Sequence, residues 1–359
     1  MSQDTFLPKR NGLDLVRLVL AGSVVFWHSF QLTGWGELWG PMRHLLAEVG
    51  VDGFFAISGY LILSSRERNK PWAFAKARLL RIYPALIVCL GLTAFVVAPF
   101  FGGYTLSAGA SYFGLNLAML SQLPGAQSIG ETLDQNAVSN GWNISLWTLR
   151  YELLFYAMVL VIARRSRPTS TPLVVAIWVL GWLTLASKFW LGQDWPIGLQ
   201  LPILGRTLLM FSSGMLIYAY RQKFTANRTW MLASALLVML AACANTVSWL
   251  GPFAQSYQLL AALPLAYLVL SIGAKLNADR WVLRNDYSYG VYIYGFVVQQ
   301  IWISVTTSLW GQQWMHAQAP AVLTTFAVST VCTFCLAGLS WHLVERPALR
   351  LKRSTLPVV

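Results

Sequence analysis

An arginine and a histidine, Arg17 and His28, stand eleven residues apart inside the apolar stretch Leu13 to Phe30, with Asp14 just ahead of them. On a helix that spacing returns the two side chains to within about 20° of each other and separates them by about 16 Å along the axis. A guanidinium is a fixed cation that pairs with anions, whereas an imidazole takes up and releases protons near neutral pH. One end of the stretch is therefore suited to an anion and the other to proton transfer. An ionisable residue inside an apolar span costs on the order of 3 kcal/mol, so a polar stripe there marks a functional site by default.

The element that positions them is a membrane helix. Charged residues make up 11% of the chain, hydrophobic residues 56% and aromatic residues 14%, whereas soluble domains carry about 25% charge. The fold class is all-α: a polytopic integral membrane protein of about ten transmembrane helices, read as a single domain over residues 1–359. The predicted spans are 12–32, 48–65, 80–100, 146–163, 172–191, 199–220, 229–248, 254–273, 286–306 and 319–342. None shows the period-two alternation of a barrel strand, and their lengths suit helices that satisfy their own backbone hydrogen bonds. The first span is long, internally polar and lacks a small-residue cleavage site, so it reads as a retained helix and not as a signal peptide.

Charge sets the orientation. With the N-terminus inside, the outer loops hold only Arg43 and Lys188, and Arg17, Arg150 and Arg206 lie within spans; the rest of the 26 basic residues fall on cytoplasmic segments. That asymmetry puts both termini in the cytoplasm. It also accounts for the net charge of +13 through orientation and anionic headgroups, and excludes nucleic acid as the partner. Cys89, Cys243, Cys332 and Cys335 all fall within spans and imply neither a disulfide nor a metal site. The outer loop 101–145 has no Lys or Arg and is long for a connector, and its middle, Tyr112 to Leu120, is a candidate to dip into the interface.

With depth assigned, Arg17 lies toward the cytoplasm and His28 toward the outer face. Asp52, Arg150, Glu152 and Arg206 share the outer third, Ser58 and Tyr60 lie near mid-membrane, and Arg78 and Arg81 open the third span at the inner surface on one helical face. Four runs accompany the Asp14, Arg17 and His28 stretch. They are Gly50 to Ile62 with its Ser58-Gly59-Tyr60, Arg78-Leu-Leu-Arg81-Ile-Tyr83-Pro84, Trp147-Thr148-Leu149-Arg150-Tyr151-Glu152 followed by Phe155-Tyr156, and Glu345-Arg346-Pro347. Together, in this order and over nearly the whole chain, they resemble acyltransferase family 3, of the kind that modifies bacterial surface glycans.

The resemblance implies a membrane O-acyltransferase that takes an acyl group, by default acetyl, from cytoplasmic acyl-CoA and places it on a hydroxyl of an extracytoplasmic glycan such as O-antigen or exopolysaccharide. It implies a bacterial inner-membrane location, acyl-CoA as co-substrate with no permanently bound cofactor, and a glycan or glycolipid acceptor. A homo-oligomer is compatible with the sequence. His28 then carries catalysis, and Arg17 with Arg78 and Arg81 handles the CoA phosphates, which arginine forks pair bidentately. General-base help by a histidine is worth about 10² to 10⁴ in rate. A carboxylate, Glu152 or Asp52, would orient the ring and stabilise the imidazolium. Ser58, Tyr60, Arg150 or Arg206 would donate to the oxyanion or contact the acceptor. A covalent acyl-histidine or acyl-serine route stays open.

Departures from the family pattern are mild: Thr148 and Tyr60 stand where serine and phenylalanine are common. Several relatives append a hydrolase-like domain, whereas this chain reaches Val359 shortly after its last span, so none is expected here. Structural readings stand beside the functional ones. Asp14 is expected to pair with Arg17, Glu345 to pair at the inner surface beside Arg346, and His44, His316 and His342 to be interfacial. Asp52 serves equally as a helix cap. Tyr289, Tyr292, Tyr294, Gln299 and Gln300 make the ninth span polar, either as packing glue or as part of an acceptor path. The reading from another class is a proton-coupled transporter or flippase for a small anion or lipid-linked sugar, with His28 as relay; against it stands the lack of a two-half repeat.

Overall fold

The computed structural model describes residues 6–35, 40–139, 141–187, 200–244, 256–277, 279–283 and 285–351. Lys188, Arg284, Lys352 and Arg353 of the charge pattern lie outside the described residues, as do the last residues of the spans ending at 191 and 248 and the first of those starting at 199 and 254. Among the described residues every regular element is helical, apart from an isolated bridge between Arg164 and Arg167. The helices are α1 (Leu13–Leu32), α2 (Gly40–Ala47), α3 (Val49–Arg68), α4 (Pro71–Gly91), α5 (Leu106–Leu117), α6 (Trp147–Ile162), α7 (Thr171–Ala186), α8 (Leu201–Ala219), α9 (Arg228–Ala244), α10 (Gln258–Lys275), α11 (Ser288–Trp310), α12 (Ala319–Ser340) and α13 (Arg346–Arg350).

Six of the continuous helical stretches among the described residues are long and apolar enough to cross a membrane. They are built on α1, α4, α6, α8, α10 and α12; α2 and α3, bent by 45° at a short break, make a seventh if taken as one span. The helix α7 and the helix α9 are apolar but shorter. The 23-residue α11 is not among the six, because Tyr289, Tyr292, Tyr294, Gln299 and Gln300 lower its hydropathy. Polarity is inverted relative to a soluble helix. On α12, Thr325, Ser329, Thr333 and Ser340 are buried while Leu323, Val331, Phe334 and Leu339 are exposed. Leu232, Leu236, Leu237 and Leu240 of α9 are exposed in the same way. Such faces fit lipid, where small and hydroxylated residues pack helix against helix.

Two span boundaries and one loop differ from the sequence expectation. The third span begins at Pro71, not at residue 80, because Lys76, Arg78 and Arg81 sit on a helix that extends past its apolar stretch. It then continues through a π-helical turn, Leu92–Val97, and a 3-10 turn to Phe100. The last span likewise runs on through the π segment Trp341–Glu345 into α13. Inside the predicted outer loop lies α5, whose N-cap Thr105 accepts a hydrogen bond from the Ala108 N–H. Tyr112 to Leu117 belong to that helix, and Tyr112 is fully buried.

The described chain forms two compact units. The first comprises Met1–Leu20, Leu38–Phe74 and Tyr151–Asp286, the second Ala21–Glu37, Ala75–Arg150 and Tyr287–Val359. In the first unit α8 is the buried centre, and its backbone meets that of α3 at paired glycines. A Cβ on Gly59 would lie 1.8 Å from the Phe211 carbonyl oxygen, and one on Gly214 would lie 1.9 Å from that of Ala56. Only hydrogen at both positions permits this approach, which explains the glycine in the Ser58-Gly59-Tyr60 run.

In the second unit α11 packs against the distal part of α1 and against α12, and the segment 101–145 is tied to it by polar contacts. Asn143 Nδ2 donates to the Ile293 carbonyl at 2.7 Å, Asn136 Nδ2 to Gln300 Oε1 at 2.8 Å, and Gln300 Nε2 to the carbonyls of Val138 and Gly141 at 2.8 and 2.6 Å. The fully buried Trp142 donates from Nε1 to Thr132 Oγ1 at 2.8 Å. The segment turns on Gly103 and Gly130, both at positive φ, where a Cβ on Gly130 would stand 2.3 Å from the Gly103 carbonyl oxygen.

Candidate functional site

Arg17 and His28 share the unbroken helix α1, as the spacing predicts. In the first unit, Arg17 Nη1 donates to Asp286 Oδ2 at 2.5 Å, with both side chains mostly buried, and its guanidinium lies 6.0 Å from the Phe54 ring centroid. Asp14, the expected partner, stands farther off at 4.0 Å and is more exposed. The principal counter-charge thus comes from the segment just before α11, a pairing that no local spacing could announce.

His28 lies in the second unit and is 9% exposed. Its ring meets Phe296 of α11 edge to face, with centroids 4.8 Å apart and planes at 87°, a geometry that holds an imidazole by its carbon framework. No hydrogen bond reaches either ring nitrogen among the described residues. One turn along α11, the fully buried Gln299 holds α1 in place: its Nε2 donates to the Val25 carbonyl and to Ser29 Oγ, each at 2.8 Å. The polar character of the ninth span is therefore largely packing glue. Tyr289 adds a bond to the Ile82 carbonyl at 2.8 Å, and Tyr292 one to that of Ser145 at 2.7 Å, beside Thr148 Oγ1 at 2.7 Å.

Among the outer-third residues, the structure joins Asp52 to Arg206. Asp52 is fully buried, its Oδ1 accepting from Arg206 Nε at 2.9 Å. Oδ2 accepts from the Tyr257 hydroxyl at 2.6 Å and from Gln258 Nε2 at 2.9 Å. Glu48, at the bend between α2 and α3, completes the cluster: its carbonyl accepts from Arg206 Nη2 at 3.2 Å, and its carboxylate accepts from Gln258 and from His44. His44, in the last turn of α2 as a helix-end residue, is held by a carboxylate four residues on. Both Asp52 oxygens are engaged in a network that ties together α3, α8 and the start of α10. Glu48 lies one turn before Asp52, a legible signal; Tyr257 and Gln258 carried none.

The remaining candidates have separate surroundings. Glu152 accepts from the Tyr156 hydroxyl one turn on along α6. Tyr60 is buried against Tyr218, with ring centroids 5.3 Å apart, and against Phe6 at 6.1 Å. Ser58 is half-buried beside the α3–α8 crossing, and Arg150 is half-buried in the second unit. Arg78 and Arg81 follow one another on α4, both half-buried. Arg81 Nη1 stands 3.4 Å from Glu345 Oε2, and its guanidinium lies over Tyr289 and Trp341 at 5.6 and 6.0 Å. Glu345, 2% exposed, also accepts from Ser340 Oγ at 3.2 Å. The acid of the Glu345-Arg346-Pro347 run, expected in a structural ion pair, makes it from the π segment with an arginine 264 residues away. π-Helical turns of this kind recur at functional sites.

The chain is similar to known proteins along its whole length. The model of acyltransferase family 3, described as an acyltransferase domain, matches residues 10–339. Nodulation protein 10 of Rhizobium leguminosarum bv. viciae is 30% identical, over 96% of this chain and 95% of that protein. The O-acetyl transferase of Shigella phage Sf6 is 28% identical, over 94% of this chain and 96% of that protein. No solved structure matches. Every run that carried the resemblance lies in the matched region apart from the terminal Glu345-Arg346-Pro347, and the apolar helices fit a multi-pass membrane enzyme. The transporter reading falls away: the chain belongs to acyltransferase family 3 and is a membrane O-acyltransferase.

Proposed function

We propose that this enzyme moves an acetyl group from cytoplasmic acetyl-CoA to a hydroxyl of an extracytoplasmic glycan, O-antigen or exopolysaccharide, with His28 as the general base. The observation that carries the proposal is His28 itself, almost wholly buried, steadied by Phe296 and bonded at neither ring nitrogen by the described protein. A structural histidine in such surroundings finds a partner, whereas one left open has a nitrogen for a substrate proton. The acetyl group is supported by the name of the phage relative.

Ten spans follow if α2–α3, α7, α9 and α11 cross along with the six long stretches; the charge asymmetry supports both termini on the cytoplasmic side, and a bacterial inner-membrane location belongs to the same proposal. The single-domain reading of residues 1–359 belongs to the same proposal. Arg17, Arg78 and Arg81 supply cations for the CoA phosphates. Each guanidinium has five N–H groups, of which the pairs with Asp286 and Glu345 use a part. His28 takes the proton of the acceptor hydroxyl as its oxygen attacks the thioester carbonyl. The C–S bond then breaks, and the CoA thiolate leaves with the proton returned by the imidazolium, so ester and thiol are the products. Asp52, with both oxygens engaged, belongs to the scaffold in this account, as does its partner Arg206. Glu152 remains the carboxylate candidate for the imidazolium, and Ser58, Tyr60 and Arg150 those for oxyanion or acceptor contacts.

Purified enzyme in lipid vesicles with acetyl-CoA and host glycan tests the reading through thiol release. Wild type should release thiol and His28→Ala should release it about 10² to 10⁴ times more slowly; equal release by both would exclude His28 as the base, and no release by folded wild type would exclude acetyl-CoA as the donor.

A further inference from the structure

Gln299 has two ends with different fates. Its amide nitrogen must be the atom facing the Val25 carbonyl, which can only accept, and that nitrogen also bonds Ser29 Oγ. Its carbonyl oxygen, in a side chain with no exposed surface, has no hydrogen-bond partner among the described residues. A buried acceptor without a donor is costly and calls for an explanation. Thr333 adds a second case. Its methyl packs on the α11 face at Gly295, one turn from Gln299, while its Oγ1 is buried and unpartnered. Thr325 and Thr330 of the same helix are likewise unpartnered among the described residues, whereas Ser329 and Thr324 donate back to carbonyls one turn earlier. What distinguishes Thr333 is its place: it lies with Gln299 in the seam where α11 meets α1 and α12. Val25 and Ser29, the residues Gln299 grips, flank His28 on α1, and Phe296, one turn earlier on α11, touches its ring.

A donor thioester brought to His28 carries its own N–H close by. In CoA the cysteamine amide is separated from the thioester sulfur by two methylenes, so a carbonyl held by Val25 and Ser29, the residues either side of the base on α1, is placed to accept from it. We infer that Gln299 Oε1 binds the thioester-proximal amide N–H of the pantetheine arm, registering the acyl carbon against His28, with Thr333 Oγ1 as a second polar contact on the arm. The inference rests on the acyl-CoA reading above. Gln299 is thus a donor-binding residue through its oxygen and a positioning residue for α1 through its nitrogen.

The two roles separate with short donors. S-acetyl-N-acetylcysteamine keeps the amide, and its isostere S-acetyl-2-acetoxyethanethiol replaces the N–H by an ester oxygen. Wild type should favour the amide donor about tenfold in kcat/KM, as a substrate or as a competitor of acetyl-CoA, the size of one hydrogen bond to a buried acceptor. Gln299→Met, which lacks the oxygen, should bring the ratio to about one, while Gln299→Glu, which keeps an oxygen and loses the donors to α1, should preserve the preference at lower overall rate. A purely structural Gln299 would slow both donors alike and leave the ratio unchanged in the methionine variant. That result, or a wild type that turns over acetyl-CoA yet treats the two short thioesters alike, overturns the inference. Failure of wild type to consume any thioester overturns the donor reading itself.

Discussion

Replacing Asp52 by alanine separates scaffold from chemistry at the outer cluster. The carboxylate is fully buried and receives Arg206 Nε at 2.9 Å, Tyr257 Oη at 2.6 Å and Gln258 Nε2 at 2.9 Å. Alanine would leave two neutral donors and a guanidinium facing a void, with the Glu48 carboxylate at 4.0 Å as the remaining counter-charge of that guanidinium. Removing one partner of a buried ion pair costs about 3–5 kcal/mol, which lowers the folded-to-unfolded ratio about 10²- to 10⁴-fold. Removing all three charges of the cluster, Asp52→Leu with Arg206→Met and Glu48→Gln, leaves no buried ion without a counter-charge and should recover most of the loss. The assay is denaturant unfolding in mild detergent, paired with acyl transfer by the folded fraction. The scaffold account expects the single variant to be strongly destabilised and the triple variant to regain both stability and transfer. A single variant as stable as wild type but slowed about 10²-fold would refute it and return Asp52 to the reaction.

Three further outcomes follow from the geometry. His28→Ala should lower kcat by about 10² to 10⁴ with little change in KM for acetyl-CoA, checked by steady-state kinetics on protein of unchanged helicity. Arg81→Ala strands Glu345, which is 2% exposed, and should destabilise by about 3 kcal/mol; Arg81→Met with Glu345→Gln should fold well, so its KM for acetyl-CoA reports donor binding free of the folding effect. Gly214→Val drives a side chain into the Ala56 carbonyl, where even a Cβ would stand 1.9 Å away. Overpacking of that kind costs about 1–3 kcal/mol or more, which the yield of folded protein in detergent would show.

Periodicity and hydropathy made the long helices legible, because in lipid each helix satisfies its own backbone and announces itself by length. The short α2, with Pro41, Arg43 and His44, and the glycine- and serine-rich α5 carry no such signal and read as loop in the sequence. The early start of α4 was hidden by its basic residues, which belong to a helix protruding beyond its apolar stretch. At the site, Arg17 and His28 were legible because one helix carries both. Their surroundings were not: Asp286, Phe296, Gln299 and Glu345 reach α1 and α4 from more than 250 residues away. Depth alone grouped Asp52 with Arg206, yet the bond between them depends on α3 and α8 meeting at Gly59 and Gly214.

The central claim is that His28 drives acetyl transfer from a cytoplasmic donor to an outer hydroxyl. Its most direct measurement supplies acetyl-labelled acetyl-CoA to the outside of sealed inside-out membrane vesicles and recovers label from the lumenal glycan as an alkali-labile ester. The account predicts ester label in wild-type vesicles, formed about 10² to 10⁴ times more slowly in His28→Ala vesicles holding equal amounts of folded enzyme. Ester label formed at the wild-type rate without His28, or label confined to the donor side, would contradict it.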